Sequence, residues 1–125
     1  MFGQFVAVGA GAALGAWLRW GFSTWLNHRI PHFPLGTLAS NLVGGYLVGV
    51  AVAIFLTRHG LPPEWRLFII TGFLGGLTTF STFSAEVTEL LTAGEYVAGV
   101  LLAAAHLGGS LLLTAAGFAT VRALV

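Results

Sequence analysis

Four long apolar runs, separated by short polar stretches, constrain this chain more than any other feature. They cover about residues 5–26, 35–57, 65–91 and 96–121. About 20 consecutive apolar residues are needed for a helix to cross the hydrocarbon core of a bilayer, and each run reaches that length. Only 7% of the residues are charged, against about 25% in a soluble domain. The sequence therefore predicts an all-α integral membrane protein, with residues 1–125 forming a single membrane domain.

Cysteine content and charge exclude several classes of protein. The chain has no cysteine, which excludes disulfides, thiolate metal sites and cysteine nucleophiles. Its net charge of +1 and its dispersed arginines do not form a patch for nucleic acid. His28 and His32 are four residues apart, but a metal site needs a third ligand. We expect no enzyme, because no nucleophile is accompanied by a base. The N-terminus lacks the basic stretch of a secretory signal, so we expect the first run to remain as a helix.

The third run contains the most unusual stretch, GFLGGLTTFSTFS at 72–84. Glycines and clustered hydroxyl residues are poor helix formers. Hydrocarbon offers exposed main chain no hydrogen-bond partner, so a helix break is tolerated only where it faces protein or a water-filled cavity. The stretch therefore predicts a broken third helix at mid-membrane, and the break is a candidate site.

Side chains of two kinds follow the predicted break. Phe80 and Phe83 are three residues apart, which places them on one helical face. A neighbouring face carries polar side chains, namely Thr79, Thr82, Glu86 and Glu89. An aromatic pair beside a polar stripe is the main candidate for a pathway.

Polar residues in the other runs allow two interpretations each. Arg19 either reaches the headgroups beside Trp20 and Trp25, or faces a polar cavity where it attracts anions or fixes a neighbouring helix. Asn41 either bonds a neighbouring helix or lines a pore. The fourth run places His106, Ser110 and Thr114 on one face, where they either line a pathway or make ordinary interhelical hydrogen bonds.

Glycine spacing and arginine distribution predict how the helices pack and insert. Gly11 and Gly15 are four residues apart, as are Gly45 and Gly49, a spacing that lets helices approach closely in lipid. Arginines are divided almost evenly between the two sides of a four-span topology, so the bias that sets orientation is weak. The chain is therefore expected to insert both ways, and two opposed copies would form an inverted repeat.

Together these features resemble the CrcB/Fluc family of small fluoride channels. The resemblance covers nearly the whole chain through its length, its four spans and three motifs. The motifs are GAWLRW at 15–20, GTLASNL at 36–42 and, most specific of all, GFLGGLTTFSTFS at 72–84.

The resemblance implies a fluoride-selective channel that lets fluoride leave the cytoplasm passively across a prokaryotic cell membrane and so lowers fluoride toxicity. It also implies an antiparallel, dual-topology homodimer with two pores. A structural sodium ion on the dimer axis would be held by the main-chain carbonyls of Gly75 and Thr78. The implied pore residues are Phe80, Phe83, Asn41, Ser81, Thr82, Ser110, Glu86 and Arg19.

The chemistry of these residues suits a small anion. Fluoride is strongly hydrated, so its entry requires donors that replace water, and amides and neutral hydroxyls are such donors. An aromatic ring has a positive edge, so Phe80 and Phe83 could contact an anion while their bulk narrows the pore.

Two rival functions share part of this pattern. A small multidrug-resistance exporter has the same length and four spans, but its coupling needs a carboxylate in the first span, where this chain offers only Arg19. A structural membrane subunit would use the glycines for packing alone, and it would leave the hydroxyl cluster and the phenylalanine pair unexplained.

Overall fold

The computed structural model describes residues 1–125, which form six α-helical segments and one π-helix. These are α1 (Phe2–Leu26), α2 (Leu35–Thr57), α3 (Pro63–Arg66), the π-helix (Leu67–Leu74), α4 (Gly75–Leu77), α5 (Phe80–Thr92) and α6 (Tyr96–Leu124). Four spans are long and apolar enough to cross a membrane, the third being the joined stretch Pro63–Thr92. The predicted all-helical, four-span architecture is confirmed, although α1 begins at Phe2 rather than at residue 5.

The third span is broken where the sequence predicts it. Thr78 (φ −94°, ψ 153°) and Thr79 (φ −150°, ψ 114°) are extended, and they separate α4 from α5. The Thr79 hydroxyl accepts the N–H of Thr82 at 3.1 Å, so a threonine begins α5 as an N-cap. The break is thus two residues long and ends in a defined helix start.

The π-helix before the break is a feature that the sequence did not predict. It spans Leu67–Leu74, whereas π-helical turns occur mostly as single bulges, often at functional sites. An apolar run indicates that a segment lies in lipid or in the protein interior, but it does not indicate how tightly the main chain is wound. The sequence pattern could therefore not distinguish a π-helix from an α-helix.

Glycines bring helix main chains into direct contact at two places. A Cβ at Gly11 or Gly15 would overlap main-chain atoms of the third span, and one at Gly76 would overlap the Ala12 carbonyl of α1. A Cβ at Gly49 of α2 would overlap the Thr114 carbonyl of α6, and the reverse holds for Gly117 and the Tyr46 carbonyl. The close approach predicted from the glycine spacing is confirmed. It pairs α1 with the first part of the third span, and α2 with α6.

The beginning of α2 is held from the end of α1. Asn27, directly after α1, accepts the N–H of Gly36 at 2.6 Å and of Thr37 at 3.1 Å through its Oδ1. These N–H groups have no partner within a helix at its first turn. Asn27 therefore fixes the position of α2 relative to α1, which positions Asn41 opposite the break.

Candidate functional site

Asn41 of α2 hydrogen-bonds both main-chain groups, the N–H and the carbonyl, of one residue in the break. Its Oδ1 accepts the Thr79 N–H at 2.8 Å, and its Nδ2 donates to the Thr79 carbonyl at 3.1 Å. The second Nδ2 hydrogen goes to His106 Nδ1 at 3.0 Å. Asn41, which is 9% exposed, therefore replaces the hydrogen bonds that Thr79 loses by leaving the helix. Because both of its N–H groups are engaged, donation to an anion requires exchange of one of these bonds.

Two carbonyls at the break lose their usual helical donors. The N–H of Thr79, which an unbroken helix would direct to the Gly75 carbonyl, is donated to Asn41. Likewise, the Thr82 N–H, which an unbroken helix would direct to the Thr78 carbonyl, is donated to the Thr79 hydroxyl. The Thr78 carbonyl therefore accepts no hydrogen bond. Uncharged carbonyl oxygens of this kind are ligands suited to hard cations. The donor set at Gly75 and Thr78 thus fits the implied sodium ion.

Arg19 stabilises a third carbonyl of the same segment. Its Nε donates to the Gly76 carbonyl at 2.9 Å, across the contact between α1 and the third span. Of the alternatives left open by the sequence, fixing a neighbouring helix is the one that the structure shows. Arg19 is not among the residues that line the groove described below.

The two phenylalanines meet edge to face at the start of α5. The ring centroids of Phe80 and Phe83 are 5.4 Å apart with an interplanar angle of 73°. Phe83 lies in turn against the ring of His106, at a centroid distance of 4.4 Å. Phe80 is 78% exposed, so the aromatic series runs from a buried histidine to the open face of the protein.

A groove of about 440 Å³ runs along this aromatic series and the break. Of the predicted site residues, it is lined by Asn41, Gly75, Thr78, Phe80, Phe83 and Ser110. Four of the eight predicted anion-pathway residues therefore share one surface with both predicted cation-site residues, between α2, the third span and α6.

The remaining predicted residues lie beyond the groove. The Ser81 and Thr82 hydroxyls lie 3.3 Å and 3.2 Å from the Thr79 hydroxyl, forming a small hydroxyl cluster. Glu86 lines a separate cavity of about 420 Å³ with Glu89 and Glu95. Its Oε2 accepts the Thr37 hydroxyl at 2.6 Å, and its buried Oε1 has no hydrogen-bond partner.

Sequence reasoning did not single out Thr37, and for His106 it left two alternatives, of which the interhelical hydrogen bond is present, to Asn41. Thr37 is four residues before Asn41, so both project from one face of α2, and both bond the C-terminal part of the third span. That spacing in GTLASNL was a usable signal. For His106 the only signal was its position on the polar face of the fourth run.

Comparison with known proteins identifies the family. The family model described as "CrcB-like protein, Camphor Resistance (CrcB)" matches residues 6–118. The chain belongs to the CrcB family. The resemblance drawn from the three motifs is thereby confirmed.

Curated relatives extend over nearly all of the chain. A protein of Ralstonia pickettii is 68% identical over 118 residues, covering 94% of both chains. One of Cupriavidus metallidurans is 67% identical over 120 residues, covering 96% of this chain and 95% of the relative. One of Thiobacillus denitrificans is 58% identical over 118 residues, covering 94% and 95%. Each of the three is named "Fluoride-specific ion channel FluC".

Proposed function

We propose that this CrcB-family protein is a fluoride-selective channel that lets fluoride leave a bacterial cell passively and so lowers its toxicity. The observation that carries the proposal is the single groove in which Phe80, Phe83 and Ser110 lie beside the break. The names of the relatives support the same function. The rival exporter lacks support, because α1 contains no acidic residue to exchange protons.

The anion path follows the aromatic series. Phe80 and Phe83 present ring edges that carry partial positive charge, and the Ser110 hydroxyl is a neutral donor that needs no protonation. The hydroxyl cluster of Thr79, Ser81 and Thr82 extends the supply of donors at the start of α5. Asn41 joins this path when an anion exchanges with its bond to His106. Glu86, which lines the separate cavity beyond the groove, would lie towards the end of the path.

The working unit is an antiparallel homodimer. The groove is open along one face, and lipid on that face would leave the unpaired carbonyl of Thr78 in hydrocarbon at a cost of several kcal/mol. A Cβ at Gly75 would meet only the Ile70 carbonyl at 3.7 Å, so crowding within one chain does not account for this glycine. A second copy seated on the groove accounts for both observations.

The main-chain carbonyls of Gly75 and Thr78 would hold a structural sodium ion between the two copies. A bound sodium ion would replace the hydrogen-bond donors that these carbonyl oxygens have lost, and so offset the cost of leaving them unpaired. Gly75 has helical dihedral angles (φ −62°, ψ −38°), so Gly75→Val is expected to disturb the site by crowding the second copy rather than by changing the main chain. Thr78→Ala should be mild, because the ligand is the carbonyl. A dimer whose stability is indifferent to every monovalent cation would contradict this part of the proposal.

Fluoride flux from purified protein in liposomes tests the function directly. Vesicles loaded with potassium fluoride should release fluoride rapidly, on relief of the membrane potential by an ionophore, and chloride-loaded vesicles should not. Equal release of chloride, or no release of either ion, would contradict a fluoride-selective channel.

A second experiment tests the opposed orientation of the two copies. Arginines added to one side of the chain should force a single topology, because arginine bias sets orientation. Each biased variant should be inactive alone, and the oppositely biased pair should restore fluoride flux. Full activity from one biased variant by itself would rule out the antiparallel dimer.

A further inference from the structure

A hydrogen-bonded chain links His106 of α6, through Asn41 of α2, to the break of the third span. Its members are His106 Nδ1, the Asn41 amide and the N–H and carbonyl of Thr79, with distances of 3.0, 2.8 and 3.1 Å. Asn41 is 9% and His106 is 4% exposed. Hydrogen bonds between buried neutral groups favour one geometry, because losing a partner leaves a buried polar atom unsatisfied.

The chain has only one consistent arrangement of donors and acceptors. A main-chain N–H can only donate, so the Asn41 atom that faces the Thr79 N–H must be Oδ1. The amide nitrogen then faces both the Thr79 carbonyl and His106, and Nδ1 of that histidine must be an acceptor. His106 is therefore neutral with its proton on Nε2, and it holds the Asn41 amide in a single orientation.

This orientation determines which carbonyls remain free. Thr78 and Thr79 are extended, and the two bonds from Asn41 stabilise that conformation. If these residues became helical, the Thr79 N–H would lie one turn after the Gly75 carbonyl and would be available to pair with it. A carbonyl that accepts an N–H is a weaker ligand for a cation, because the donor competes for its electron density. The bond from Thr79 to Asn41 thus keeps the Gly75 oxygen available.

We propose that Asn41 and His106 are positioning residues for the cation site, because they draw the Thr79 N–H away from the Gly75 carbonyl. The inference rests on the proposed sodium site at Gly75 and Thr78. It assigns Asn41 a second role besides that of a groove-lining residue. His106 is buried, and its one hydrogen bond goes to Asn41. It therefore acts on the cation site through Asn41.

The test measures sodium dependence without measuring flux. Unfolding temperature of the detergent-solubilised dimer is followed against NaCl concentration, with N-methyl-glucamine chloride keeping ionic strength constant. The sodium midpoint is the NaCl concentration that gives half of the maximal stabilisation. Asn41→Leu should raise this midpoint at least about tenfold, which corresponds to about 1.4 kcal/mol.

The matched pair His106→Leu and His106→Asn isolates the acceptor. Both substitutions remove the contact between His106 and Phe83, but an asparagine can offer its carbonyl oxygen near the position of Nδ1. His106→Leu should raise the sodium midpoint about fivefold, the equivalent of one neutral hydrogen bond, whereas His106→Asn should stay near the wild-type value. Ser110→Ala is the control, since Ser110 lines the groove without bonding the break, and its sodium midpoint should not change.

Each outcome decides between the inference and the function on which it rests. Wild-type sodium midpoints in folded, dimeric Asn41→Leu and His106→Leu would overturn the inference and leave the channel intact. If Asn41→Leu does not fold, the two His106 variants decide, and equal midpoints for Leu and Asn overturn the inference. A wild-type dimer that conducts fluoride without any sodium dependence would overturn both the cation site and the inference. Wild-type protein without fluoride flux would overturn the proposed function alone.

Discussion

The two halves of the third span are held by different kinds of contact. Before the break, Gly72 and Gly76 lie against the main chain of α1, where a Cβ would overlap the carbonyls of Val8 and Ala12. After the break, α5 is joined to α2 by side-chain hydrogen bonds, from Thr37 to Glu86 and, at its N-cap, from Asn41 to Thr79. The first half is thus positioned mainly by shape, with one side-chain hydrogen bond from Arg19 to the Gly76 carbonyl, and the second by polar partners.

The difference explains how a break is tolerated within a membrane helix. Close main-chain packing has no alternative arrangement, since interiors are packed too densely to absorb an added methyl group. Hydrogen bonds to side chains can be exchanged one by one for bonds to an ion or to water. A rigid first half therefore holds the unpaired carbonyls in place, and an exchangeable second half presents the donors and ring edges.

The largest expected effect comes from filling the contact between α1 and the first half. In Gly15→Ala, the new Cβ would overlap the Phe73 carbonyl, and main-chain atoms cannot rotate aside. Overpacking of this kind costs about 3 kcal/mol or more, so little folded dimer should be recovered, as measured by yield and unfolding temperature. Gly9→Ala is the control, because nothing lies within 4 Å of its Cβ. Equal stability of the two variants would show that shape does not position the first half.

Next in size is the effect of removing ring edges from the second half. Phe80→Ile and Phe83→Ile keep much of the bulk and lose the positive edge. Fluoride flux in liposomes should fall about a hundredfold, or about 2.7 kcal/mol in the barrier, while the dimer still forms. Phe68→Ile, in the π-helix and outside the groove, should change flux little. Wild-type flux in both variants would mean that the pair only packs.

Removing the hydrogen bond between Thr37 of α2 and Glu86 of α5 is expected to have a somewhat smaller effect. Thr37 is 1% exposed, and Thr37→Val removes the only hydrogen bond of the Glu86 carboxyl. An unsatisfied buried polar group costs about 2 kcal/mol, to be seen as a lower unfolding temperature. The double variant Thr37→Val/Glu86→Leu should recover part of that loss, because no polar atom is then left unpaired. A further decrease in the double variant would contradict this account.

The smallest effect concerns the methyl group of Thr78 at the break. A Cβ at Gly44 would overlap Thr78 Cγ2, which is a side-chain atom, so Gly44→Ala should cost only about 1 kcal/mol. Adding Thr78→Ser removes that methyl group, keeps the hydroxyl that donates to the Leu74 carbonyl at 2.8 Å, and should restore the unfolding temperature. If Thr78→Ser does not restore it, the cost of Gly44→Ala has another cause.

The sequence by itself determined the four spans and the location of the break. Both depend on local chemistry: a long apolar run requires a helix in lipid, and the glycines and threonines of 72–84 disfavour one. The family followed from the same stretch, because its composition is unusual enough to be specific. Glycine spacing likewise predicted close helix contacts, although it did not say which helices would meet.

Only the tertiary structure decided the partners of the polar side chains. Asn41 faces Thr79 and His106, and Thr37 faces Glu86, because of the register between α2, α5 and α6, which no single segment encodes. Arg19 had three candidate functions until its Nε was found at the Gly76 carbonyl. The π-helix belongs here as well, since the apolar run that forms it did not indicate its winding. Hydrogen-bond partners far apart in sequence are set by packing, so the sequence could name most of the polar residues of the site, but not Thr37, and only the fold could pair them.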